Sequence, residues 1–270
     1  MAKKFRPKKP FFNKVKNTPK TPPTYDRELV QKGRASASEI RLNRYISNSG
    51  VCSRREADRL IEAGEIKVNG EVVTEMGYKV KPTDKVSYEG NVLKREKLVY
   101  LVLNKPRDFI STTSDPEGRR TVMDLIKNAC EEQIFPVGRL DRATTGLLIF
   151  TNDGDLAKKL THPSHKVKKI YQVTLDKPID EDDFEKIKAG LTLEDGPAPV
   201  DDLAVTSSDG TVLGIEIHMG KNRIVRRIFE HLGYKVEKLD RVVYGELTKK
   251  DLPRGKWRFL TEKELMKLKK

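Results

Sequence analysis

Apolar residues recur at helical spacing at Leu42, Tyr45 and Ile46 before Gly50, and again at Ala57, Leu60 and Ile61 before Gly64. This spacing predicts two short helices. Ser53 and Glu56 stand three apart at the start of the second, as in a capping box, and Gly64 suits a left-handed stop. Ile66, Val68 and Val72 then alternate around Asn69-Gly70, a pair that favours a two-residue hairpin turn. From residue 98 onward the period changes. LVYLVLN, GLLIFTN, YQVTL, DLAVTS, TVLGIEIHM and WRFL read as strands, with Asp209-Gly210 as a hairpin turn between two of them. Shorter amphipathic stretches predict helices over Val122–Lys127, Gly154–Leu160, Glu181–Ala189 and Asn222–Leu232, the last closed by Gly233.

These patterns divide the chain into three. A small helix–helix–hairpin module covers about 38–97, and an α+β domain with a mixed, largely antiparallel β-sheet covers about 98–270. Residues 1–37 precede both and lack apolar periodicity. Through Arg34 this segment holds eleven Lys and Arg against Asp26 and Glu28, so it carries most of the chain's net charge of +14. With Pro7, Pro10, Pro19, Pro22 and Pro23 it cannot bury enough surface to offset its ordering entropy, and a disordered basic tail is expected. Such a tail can grip phosphates or merely keep the protein soluble.

The charge excess favours a polyanionic partner, of which nucleic acid is the commonest. No run approaches the ~18 apolar residues that span a bilayer. No apolar stretch follows the N-terminal charges as in a secretory signal. Cys52 and Cys130 lie far apart without metal-ligand spacing and fit two ordinary thiols in a reducing cytoplasm. His162 and His165 stand three apart without a further ligand nearby, so no metal site is expected. No dinucleotide or phosphate-loop glycine pattern occurs.

Two groups of residues are candidates for function. Arg41, Arg44, Arg54, Arg55 and Arg59 decorate the outer faces of the two early helices, where guanidinium forks at fixed spacing match phosphates. A solvated helix face gives the same pattern. In VGRLDRATTGLLIFTNDGD, Asp141 sits on a short polar loop between apolar strands. It can serve as an exposed carboxylate with dry surroundings, or cap a turn with Arg139 as its partner.

RLNRYISNSGVCSRREADRLIEAGEIKVNG resembles, from end to end, the small RNA-binding domain of the ribosomal-protein type, the alpha-L motif. GRLD followed by TTGLL resembles the central motif of the pseudouridine synthases that act on ribosomal RNA. NKPRDFISTTSDPEGRRTVMDLI, KKIYQV and GKNRIVRRIFEHLGYKVEKLDRVVYGEL resemble the stretches around it in the same family. The resemblance covers about 38–260. It implies that Asp141 is the catalytic carboxylate, Tyr171 the active-site tyrosine and Arg226 the basic partner of the aspartate. It also implies that Arg139 steadies a flipped nucleotide, while Arg227 reads as a second phosphate contact or as a surface residue. Ile224 departs from relatives that carry Gln at that place. The HPS and TTSDPEGRRTV features resemble the enzymes of the large-subunit (23S) RNA more than the small-subunit enzyme. The implied protein is a bacterial, cytoplasmic, monomeric enzyme of ribosome biogenesis. It works without a cofactor on ribosomal RNA or an assembly intermediate. A non-catalytic assembly factor and an enzyme for another RNA are the competing readings.

Overall fold

The computed structural model describes residues 21–26 and 39–270. Helices α1 (Leu42–Ser47) and α2 (Arg54–Glu62) pack together over two hairpins. The hairpins are built from β1 (Ile66–Val68), β2 (Glu71–Val72), β3 (Val86–Tyr88) and β4 (Asn91–Val92), in the order β2-β1-β3-β4. Leu42, Ile46, Ala57, Ile61, Ile66, Val68, Val80 and Val86 form their common core. Asn69 and Gly70 have φ of 53° and 91°, as the two-residue turn requires. Ser53 caps α2 by accepting from the Glu56 amide. The expected capping box is only half made, because the Glu56 carboxylate turns instead to Arg59 at 2.9 Å.

The second domain is built on one mixed sheet. Its main strands are β5 (Tyr100–Lys105), β6 (Thr145–Thr151), β7 (Lys169–Leu175), β8 (Asp202–Val205), β9 (Val212–Ile217), β10 (Val236–Tyr244) and β11 (Trp257–Phe259). They run in the order β8-β9-β7-β10-β6-β5-β11. Every neighbouring pair is antiparallel except β6 and β10. Strands β5 and β6 read as unbroken apolar runs because both of their faces are covered. Leu101, Leu103, Leu148 and Phe150 face one core, shared with helices α3 (Val122–Ile126), α5 (Glu181–Ala189) and α6 (Ile224–His231). Tyr100, Val102, Leu147 and Ile149 face the other, shared with α4 (Gly154–Thr161) and α7 (Glu262–Lys269).

Four more expectations change. Strand β10, at the middle of the sheet, and α7 were not expected from the pattern. Helix α6 begins at Ile224 rather than Asn222, because Arg223 adopts a left-handed conformation at its N-cap. The disordered tail is corrected at residues 21–26. Tyr25 is buried, edge-on to Tyr100 with ring centroids 5.1 Å apart, and its hydroxyl donates to the Leu260 carbonyl at 2.9 Å. The rest of that segment lies outside the described residues. Among the described residues no helix is long and apolar enough to cross a membrane.

Candidate active site

Asp141 lies on the loop that enters β6, and the backbone of this loop is tied down on three sides. The Leu140 amide donates to Ser111 Oγ at 3.1 Å, and that hydroxyl donates back to the Leu140 carbonyl at 2.9 Å. The Thr144 amide donates to the Asp141 carbonyl at 3.0 Å. Lys105, fully buried at the end of β5, points its ammonium at the carbonyls of Asp141 (3.1 Å), Arg142 (3.3 Å) and Thr144 (2.8 Å). Burial pulls the Lys105 pKa down to about 8, against the opposing charges of Asp141 and Asp108. The loop's shape is thus set from beneath by a cation.

The Asp141 side chain is about one-third exposed. Its Oδ2 is 4.0 Å from Arg226 Nε and 3.9 Å from Arg223 Nη1. Arg226 is buried on α6 and anchored through Nη1 to the Val236 carbonyl at 2.8 Å, while its Nε and Nη2 have no hydrogen-bond partner. Burial and the neighbouring Arg223 lower the Arg226 pKa, with Asp141 opposing them. Arg223 also reaches Glu230 at 3.2 Å. Two guanidinium groups therefore flank one carboxylate loosely, and unfilled donors remain beside it.

A cavity of about 160 Å³ opens at Asp141, walled by Tyr171, Ile224, Leu239, Lys169 and Arg241. Tyr171 stands on β7 directly across from Arg241 on β10, whose Nη1 donates to the Tyr171 hydroxyl at 3.4 Å. A wider cleft of about 550 Å³ shares the wall from Gly138 to Asp141 and continues past Arg119, Arg142, Lys221 and Arg223.

The structure brings Asp141, Tyr171 and Arg226 together from a loop, a strand and a helix. Arg139 is exposed and lines both cavities. Of the early arginines, Arg41, Arg54, Arg55 and Arg59 are exposed, Arg59 alongside Glu56. Arg44 is instead paired with Asp155 at the start of α4, at the junction between the domains, and the exposed Arg54 reaches toward Gly154 beside it. Arg227 does not stand free for phosphate. It donates to Asp195 at 3.0 Å and to the Asn222 carbonyl at 2.8 Å. Sequence reasoning missed Arg223, Lys105, Lys169 and Arg241. Arg241, two residues from the apolar Leu239 and buried like it, is the nearest thing to a signal, on a strand whose alternation is otherwise broken.

A carboxylate in a basic cleft beside a small tyrosine-walled cavity, in a chain that also carries an arginine-bearing helix pair, suits an enzyme that acts on RNA. The RNA pseudouridylate synthase family model matches residues 99–231, and the S4 domain model matches residues 40–86. The chain is 41% identical over 232 residues to the ribosomal large subunit pseudouridine synthase B of Bacillus subtilis, covering 84% of this chain and 95% of that one. It is 40% identical over 234 residues to the dual-specificity RNA pseudouridine synthase RluF of Escherichia coli K12, covering 86% and 79%. A crystal structure of a pseudouridylate synthase superposes with a TM-score of 0.60 at 29% identity, covering 85% of this chain and 99% of that one. This chain belongs to the RNA pseudouridine synthase family, with an S4 domain ahead of the catalytic domain.

Proposed function

We propose that the protein isomerises a uridine of structured ribosomal RNA, in the large subunit, with Asp141 as the catalytic carboxylate. The reaction breaks the C1′–N1 bond, turns the uracil and joins C1′ to C5. No electron is gained or lost, so it calls for no redox cofactor. It needs an ionised carboxylate beside C1′, and Asp141 stands between the guanidinium groups of Arg223 and Arg226, which give its charge a counter-charge. The observation that carries the reading is Asp141 Oδ2 at 4.0 Å from Arg226 Nε, at the mouth of a cavity walled by Tyr171. Tyr171 packs against the detached ring and orients a proton acceptor for C5. The target nucleotide must leave its stack to enter, at a cost of roughly a few kcal/mol. Phosphate contacts from Arg41, Arg55 and Arg59 on the domain at about 38–97, and from Arg139 at the cleft, offset that cost without reading sequence.

The large-subunit assignment is supported by the name of the Bacillus subtilis relative, and the cytoplasm is where such an RNA is met. One chain suffices for the chemistry. Mapping pseudouridines in ribosomal RNA with and without the gene should reveal one or a few lost sites. Asp141→Asn should abolish product while RNA binding stays near normal. Loss of binding together with activity would favour a non-catalytic assembly factor, and sites lost only from other RNAs would displace the ribosomal assignment.

A further inference from the structure

Lys169 and Arg241, which the chemistry above leaves unused, both line the 160 Å³ cavity and are 7% and 3% exposed. Their hydrogen bonds go to neutral oxygens. Lys169 Nζ donates to the carbonyls of Val167 at 3.1 Å and His218 at 2.8 Å. Arg241 Nε donates to the Leu147 carbonyl at 2.7 Å and Nη1 to the Tyr171 hydroxyl. Among the described residues no carboxylate is ion-paired to either. Asp201, which acts on Lys169 through space, is already bonded to His218. An ammonium has three N–H groups, so Lys169 keeps one in hand. Arg241 Nη2 is buried without a partner. Both cations also face the Tyr244 ring, Arg241 at 4.4 Å from its centroid and Lys169 at 5.9 Å.

Two like charges buried side by side without an acid are unfavourable in the empty protein. They become favourable when negative charge enters the cavity. Asp141 supplies none at this end, since its own partners are Arg223 and Arg226.

We propose that Lys169 and Arg241 form the seat that stabilises the uracil ring as it leaves the sugar as an anion. This rests on the pseudouridine synthase reading above. As the C1′–N1 bond breaks, its electron pair goes to the ring and spreads over N1, O2 and O4. Asp141 balances the sugar, either by bonding to C1′ or by taking the C2′ proton, and it is released or returns that proton when C5 bonds to C1′. The C5 proton then leaves and N1 gains one, so the product is an isomer. Fixed cations stabilise the anionic ring more than the neutral bound base, and so act on rate rather than on affinity.

The test uses the full chain with large-subunit ribosomal RNA transcribed with uridine or with 5-fluorouridine. Fluorine acidifies N1, so the ring leaves with less help. Loss of the parent nucleoside at the target is followed in single turnover, and RNA affinity is measured separately. Lys169→Met should slow the uridine reaction about 100-fold, as loss of one such donor does, at unchanged RNA affinity, and the deficit should shrink on 5-fluorouridine RNA. Arg241→Lys, which keeps the charge, should retain most of the rate that Arg241→Met loses, with melting curves checking the fold. If neither Arg241 variant folds, Lys169→Met decides alone. An equal deficit on both RNAs would overturn the proposal. So would weakened RNA affinity with an unchanged rate constant, which would make the pair a phosphate seat. Wild-type protein inactive on uridine RNA, with binding intact, would instead sink the enzyme reading and this inference with it.

Discussion

Gly146 has a φ of +105°, and a Cβ there would fall 2.2 Å from the Arg241 carbonyl oxygen and 2.5 Å from its amide nitrogen. The parallel contact between β6 and β10 therefore exists only because this residue has no side chain. The contact joins the strand that follows the Asp141 loop to the strand that carries Arg241. Gly146→Ala should destabilise the fold by about 4 kcal/mol or more, the range of severe backbone strain and clash. Urea unfolding measures it, and a loss under 1 kcal/mol would mean that the two strands can part without harm. Motif resemblance drew attention to Asp141, Tyr171 and Arg226. Lys105, Lys169 and Arg241 escaped notice because their chemistry comes from burial beside residues distant in sequence. Lys105 looks like an ordinary strand end until the loop at 141–144 is folded over it.

At the level of elements, legibility follows regularity. Helix α5 was expected and found over the same residues, since Asp180 caps it and acids fill its first turn. Strand β10 escaped because its alternation is broken: β-bulges shift its register with β7 between Ile170 and Tyr171 and between Thr174 and Leu175. It also carries Glu237, Lys238, Asp240 and Arg241, so it reads as polar. Asp240 is its structural acid. It accepts from Thr145 Oγ1 at 2.8 Å and from Arg254 Nη1 at 2.8 Å, and it is paired with Lys249. These contacts hold its pKa down to about 2, against the opposing effect of burial. Because the folded value lies below the unfolded one, the contribution is complete above about pH 4 and is lost as pH falls through 2. It amounts to about 1–2 kcal/mol once solvent screening is allowed for. Wild type should exceed Asp240→Asn by that amount in urea melts at pH 6, and the gap should narrow as the pH falls toward 2. A gap independent of pH would show that the carboxylate's charge contributes nothing.

Across the whole molecule, one row of early arginines divides between two tasks that sequence pattern could not separate. Whether a guanidinium on α1 or α2 meets solvent or the second domain depends on how the domains dock. Arg44 is held by Asp155 at that junction, where the Glu96 carboxylate also accepts from the Gln133 amide and from Asn152. Tyr25, ahead of the first domain, is held against the second by Tyr100 and the Leu260 carbonyl. Arg55 and Arg59 project outward from α2. Phosphate contacts release counterions, so each one steepens the fall of affinity with salt by about 1 in a log–log plot. Replacing Arg55 and Arg59 together with alanine should therefore weaken RNA binding and flatten that slope by about 2. Arg44→Ala should leave the slope nearly unchanged and instead lower the unfolding midpoint, because it removes a junction contact. Titrations of each variant against one RNA at several salt concentrations separate the two effects. A slope that flattens for Arg44→Ala and not for the double variant would place the RNA backbone against the junction instead of along the outer face of α2.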